Sequence, residues 1–177
     1  AYSEDLVHTD WKYLQKNLHL SVHLLTQPGR RYITAGFGKP DAPPIRFLMA
    51  EDEKEEGASE FVALWEPYAG RNVIQRIERL PMTASLDPEG FQPVALRVKL
   101  KGGQTDTILY SAVPTRLKAG GLEFEGTFGY YSEINGRFRC LHLANGRRLT
   151  KAGVGVLDLE APFQAKIVAM DPHLSLI

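Results

Sequence analysis

Residues 17–25 read Asn-Leu-His-Leu-Ser-Val-His-Leu-Leu, and this strict alternation constrains the chain more than any other feature. Leu18, Leu20, Val22 and Leu24 share a face only in an extended strand, where side chains repeat every second residue. His19, Ser21 and His23 then fall on the opposite, polar face, and a slip of one residue would bury the histidines instead of the leucines. Gln27-Pro28-Gly29 is turn chemistry, and residues 31–35 read as a return strand. Short strands follow at 45–50, 61–65 and 73–80, separated by a Pro-bounded loop at 40–44, an acidic stretch at 51–56 and a loop at 67–70.

Punctuation in the second half defines hairpins. Leu96, Val98 and Leu100 alternate over 95–101, Gly102-Gly103 supplies a two-residue turn with free access to positive φ, and 105–111 runs back. Asn135-Gly136 joins the aromatic-rich stretch 122–131 to 138–144, and Asn145-Gly146 repeats the device. Alternation at 154–159 and an apolar run at 164–170 add further strands, whereas residues 10–16 allow a helical turn or two at most. No fixed-period repeat is present. The expectation is an all-β fold with little helix: one antiparallel β-sandwich of short strands and hairpins over residues 1–177.

Composition narrows function by exclusion. With 177 residues, 44% of them apolar, a chain can bury roughly 70% of its unfolded surface without staples. Lys plus Arg and Asp plus Glu number 21 each, so no net field holds a polyanion and nucleic acid is not expected as a partner, although Arg30-Arg31 and Arg137, Arg139, Arg147 and Arg148 form local basic clusters. The single Cys140 forbids an intrachain disulfide and a four-cysteine zinc site, and inside a strand it reads as an inert thiol. No apolar run reaches the roughly 20 residues of a membrane span. The start, Ala-Tyr-Ser-Glu-Asp without Met, is compatible with a processed product, a tag remnant or a piece of a longer protein.

Nucleophile elbow, phosphate loop and dinucleotide fingerprint are all missing, and no cofactor is expected. Histidines stand at 8, 19, 23, 142 and 173. His19 and His23 share a strand face but lie roughly 13 Å apart at about 3.3 Å per residue, too far to share a metal, so a polar half-exposed face is the plainer reading. Trp11, Tyr13, Trp65, Tyr68, Tyr130 and Tyr131 offer flat faces to sugar rings, although aromatic residues are also ordinary sandwich core.

The segment FVALWEPYAG at 61–70 followed by VIQRIERL at 73–80, and LEFEGTFG at 122–129 followed by LHLANGRRL at 141–149, resemble the C-terminal β-region of heparinase II/III-like polysaccharide lyases. In that family a helical toroid precedes β-sandwich domains and carries catalytic residues together with the central sheet. Neither the toroid nor a recognisable histidine-rich metal motif is present, so no catalytic residue transfers. The resemblance implies a noncatalytic C-terminal module that packs against upstream domains of a parent lyase, beside a uronate-containing polysaccharide, in a periplasmic or secreted protein. A free-standing carbohydrate-binding module and a small independent enzyme are the alternatives. The residues expected to meet an acidic sugar are Trp11, His19, His23, Tyr68 and Arg71: the histidines stand on the polar strand face, and Tyr68 and Arg71 in a Pro-Gly loop. Arg pairs with a carboxylate while an aromatic ring takes the apolar sugar face.

Overall fold

Period-two patterning becomes strand throughout a computed structural model that describes residues 6–13, 17–27, 29–38, 45–53, 59–85, 92–152 and 154–161. In chain order the strands are β1 (Leu6–Tyr13), β2 (Leu18–Leu25), β3 (Arg30–Phe37), β4 (Ile45–Asp52), β5 (Ala63–Ala69), β6 (Ile74–Arg79) and β7 (Met82–Ala84). They continue with β8 (Val94–Leu100), β9 (Gln104–Ala119), β10 (Leu122–Ile134), β11 (Arg137–Ala144), β12 (Arg148–Lys151) and β13 (Val154–Asp158). All pairings are antiparallel, and they form a small sheet β1-β2-β5, a hairpin β3-β4 and a large sheet β13-β12-β10-β9-β8-β6, with β11 paired to β10 and β7 to β9.

The large sheet is organised around one long hairpin, β9 and β10, closed by Gly120-Gly121 at φ of 58° and 81°. Such a turn needs positive φ at both positions, which glycine adopts without steric cost. Midway along the hairpin the register jumps from the Tyr110–Phe128 pair to the Thr115–Gly126 pair, leaving 111–114 bulged. The buried Ser111 and Thr115 hydroxyls meet at 2.8 Å across this bulge. At the same level β11 gives way to β12, and β8 to β7, as partners of the hairpin.

The sheet thereby splits into two halves that fold over each other. Phe124 of the distal half packs on Gly129 of the proximal half, where a Cβ would lie 2.8 Å from the ring. One core of Leu80, Ala95, Leu109, Leu117, Leu122, Phe124, Tyr131 and Leu149 joins the halves. A second core, with Ile77, Val94, Leu96 and Val98 of the large sheet against Leu25, Val62 and Leu64, holds the small sheet to the other face of the proximal half. The β-sandwich expected from sequence is therefore present.

Several details depart from the sequence expectation. Two strands are long, at 16 and 13 residues, because a bulge lets one hairpin serve two half-sheets. Residues 10–13 extend β1 in place of a helical turn, since eight consecutive pairings with β2 satisfy their backbone. Pro67 and Tyr68 belong to β5 and not to a loop: β5 is the edge of its sheet, where a proline without an N–H is tolerated. Gly102-Gly103 and Asn135-Gly136 turn hairpins as expected, with φ of 87°, 82°, 49° and 76°. Asn145-Gly146 does not, for β11 and β12 both pair with β10 and not with each other. The run at 164–170 lies outside the described residues.

Gly146 sits where the chain crosses the bend, and a Cβ there would lie 2.4 Å from the Glu125 carbonyl oxygen and 2.8 Å from Gly126 Cα. Backbone cannot yield as a flexible side chain can. Gly146→Ala is expected to destabilise the fold by roughly 3 kcal/mol, while the exposed Gln75→Ala stays within about 0.5 kcal/mol, as urea unfolding midpoints would report.

Candidate functional site

The face of the small sheet that carries His19, Ser21 and His23 runs from interior to surface. Cross-strand pairing sets Leu64 beside His23, Glu66 beside Ser21 and Tyr68 beside His19, while on β1 Lys12 pairs with His19. Residues opposite each other in an antiparallel pair share a face. At the buried end His23 is 0% exposed, and its Nε2 lies 3.0 Å from Oε2 of Glu66, itself 4% exposed. Oε1 of Glu66 accepts hydrogen bonds from the backbone N–H of Val73 and, at 2.8 Å, of Ile74. The carboxylate thus ties β2 and β5 to the start of β6.

His23 was expected on an open polar face, and the structure corrects this. Leucine and histidine alternate as though one face were buried, but the small sheet lies against the large sheet on one side and beside the β3-β4 hairpin on the other. Both faces of β2 are covered at its end, whereas Leu18 at its beginning is 45% exposed. An interior imidazole is tolerated because a carboxylate meets it.

At the surface end of the same face, His19 and Tyr68 are both half-buried and stack with ring centroids 4.8 Å apart and planes 12° from parallel. Lys12 is exposed at the next register position of the same row. Beyond Tyr68 the chain turns at Gly70, φ 80°, and presents Arg71 to solvent. Of the five residues expected from sequence, His19 and Tyr68 come into contact, Arg71 lies three positions past Tyr68, and His23 forms the buried base of the face. Trp11 is set opposite Leu20 in the register, out of step with the Lys12–His19 pair, and its side chain lies outside the described residues. Sequence reasoning passed over Lys12 and Glu66; Glu66 carried a signal, as an acid one position before Pro67 in an otherwise apolar and aromatic run.

The opposite face of the small sheet borders a groove of about 550 Å³ against β4, lined by Leu20, Val22, Leu24, Leu48, Phe61 and Trp65. Trp65 is 68% exposed there, and Phe61 is exposed as well. Elsewhere, Tyr130 and His142 approach with ring centroids 5.8 Å apart on the large sheet, on a strand pair that also carries Ser132, hydrogen-bonded to Asp106 at 2.7 Å. Burial pushes the Tyr130 phenol up, which is the wrong direction for a tyrosine that must lose its proton to act as a base. Cys140 is half-buried opposite Ser132.

The basic clusters noted in the sequence are largely paired. Arg30 meets Asp52, Arg31 meets Glu51 and Glu53, Arg147 meets Glu125, and Arg148 meets Glu123 and Asp158. Among the described residues no group of three or more His, Cys, Asp or Glu is placed to hold a metal ion, and no helix is long and apolar enough to cross a membrane. Comparison with family models, with curated proteins and with solved structures finds no match for this chain.

Glu66→Ala removes the acceptor shared by the buried His23 and the backbone N–H groups of Val73 and Ile74 and should cost roughly 2–3 kcal/mol in chemical unfolding. Glu66→Gln keeps an acceptor for Val73 and Ile74 and should cost distinctly less. Equal losses from the two variants would show that the carboxylate does not act as this bridge.

Proposed function

We propose that this chain is a noncatalytic β-sandwich module of a polysaccharide-cleaving protein of the heparinase II/III-like kind, and that it contacts an acidic polysaccharide through the surface end of the small sheet. The observation that carries the reading is the row Lys12, His19 and Tyr68, with Arg71 just beyond it. A stacked pair of flat rings suits the apolar face of a sugar, and flanking cations suit its carboxylate. The sequence likeness at 61–80 and 122–149 supplies the class of parent protein. The exposed apolar residues at the groove, Phe61 and Trp65 foremost, suit a module that meets a neighbouring domain.

The noncatalytic reading rests on chemistry. β-Elimination from a uronate needs a base at the C5 proton, an acid at the leaving oxygen and neutralisation of the carboxylate, all converging on one accessible place. His23 and Glu66 have the right functional groups, but they are enclosed between sheets and engaged with each other and with the backbone. Tyr130 and His142 are paired, but the phenol is shifted away from ionisation.

Titration calorimetry against alginate, hyaluronan and heparan sulfate should give saturable binding to at least one of them. Tyr68→Ala and Arg71→Ala should each weaken it about tenfold, the scale of one charge-assisted or stacking contact. Absence of binding to all three sinks the sugar-contact reading. Appearance of unsaturated product, followed by ultraviolet absorbance, sinks the noncatalytic one.

A further inference from the structure

Where the distal half of the large sheet folds back on the proximal half, the two leave a cleft of about 210 Å³ between them. Register builds its floor in two cross-strand rows. Arg97 pairs with Thr107 and Thr107 with Tyr131; Lys99 pairs with Thr105 and Thr105 with Glu133. The distal half contributes Lys151, which pairs with Glu133 and stands 4.8 Å from the centre of the Tyr131 ring. Gly120 forms part of the wall, and a Cβ there would lie 2.8 Å from Leu80 Cδ1 and 3.1 Å from Arg97 Nη2, so glycine leaves the space that both side chains take.

Three cations therefore line the cleft, against one carboxylate. Arg97 is held through Nη1 by Glu78 at 3.2 Å, which fixes the guanidinium without occupying Nη2. Lys99 has no carboxylate partner among the described residues. Thr105, Thr107 and Tyr131 of the proximal half also line the cleft and bring hydroxyl donors to it. Like charges gathered around a small volume repel each other, and this repulsion turns to attraction when an anion enters. With Glu78 counted on Arg97, and Arg76, which the same carboxylate also meets, four cations stand against two carboxylates, and this local surplus of two matches a dianion. The volume is below the 300–1,000 Å³ usual for drug-sized ligands and fits a small polyatomic group.

We propose that this cleft binds a doubly charged tetrahedral oxyanion, a sulfate or phosphate group, either as the free ion or as a terminal ester. Arg97, Lys99 and Lys151 provide the charge and the threonine hydroxyls the directional contacts. The site is distinct from the row on the small sheet and does not depend on that reading.

The test is an amide-resolved NMR titration of the whole chain with sodium sulfate against sodium chloride at matched ionic strength. Saturable shifts confined to sulfate and centred on Thr105, Thr107, Gly120 and Lys151 are expected. Lys99→Ala, at an exposed position, should weaken the affinity about tenfold, and Thr107→Val should weaken it measurably while the fold is retained. Tyr68→Ala should leave it unchanged. A parallel titration with inorganic phosphate and with glucosamine 6-sulfate distinguishes the sources: tighter binding of the sugar identifies an ester, and tighter binding of the inorganic ions identifies the free anion. Shifts that match those in chloride, or an affinity unaltered by both Lys99→Ala and Thr107→Val, overturn the proposal.

Discussion

A single carboxylate holds the architecture in register. Glu66, inside the molecule, receives His23 from β2 on one oxygen and two backbone N–H groups at the entry to β6 on the other. Loss of this shared acceptor would cost about 1 kcal/mol for each hydrogen bond it receives. The contact joins the small sheet to the first strand of the large one, so it fixes where the chain between β5 and β6 turns. Tyr68 precedes that turn and Arg71 lies in it, so the carboxylate also determines where the exposed end of the face presents its groups.

The second constraint is the bend in the β9-β10 hairpin. A hairpin this long, with a regular ladder, would form one extended twisted sheet with two open faces. The bulge at 111–114, the close passage of Gly126 against Gly146 and the packing of Phe124 on Gly129 fold it back on itself instead. The distal half then buries its own apolar face, and Lys151 is carried across to Glu133 on the proximal half. The cationic cleft is a by-product of this closure, formed where the two halves meet along their polar rather than their apolar residues.

Much of this was legible in the sequence, and the reason the rest was not is physical. Two-residue turns are local, so Gly102-Gly103 and Asn135-Gly136 announced their hairpins without any knowledge of the fold. Alternation in β2 likewise identified the strand, but not which face would be covered, because that depends on the layers packed on each side. His23 became interior for this reason. Pro67 was read as a breaker, yet it extends β5 because an edge strand has no use for its missing N–H. His19 and Tyr68 stack across strands separated by two further elements of sequence, and Arg97, Lys99 and Lys151 are gathered by a fold-back that no local signal marks. Pairings between distant segments belong to the fold as a whole, and a single sequence does not display them.

The charge balance gains meaning only with the pairings in place. A chain with equal numbers of cationic and anionic side chains exerts no long-range pull on a polyanion, and at physiological ionic strength screening acts within about 8 Å. Arg147, Arg148, Arg116 and Lys118 are absorbed by Glu123, Glu125 and Asp158 along the distal half of the large sheet. Local excess of positive charge is left at the Lys12 and Arg71 end of the small sheet and in the cleft beside Lys99. An anionic ligand is therefore not steered in from a distance. Recognition at either place has to come from contact, through hydrogen-bond geometry, ring stacking and short-range ion pairing, the last of which added salt weakens.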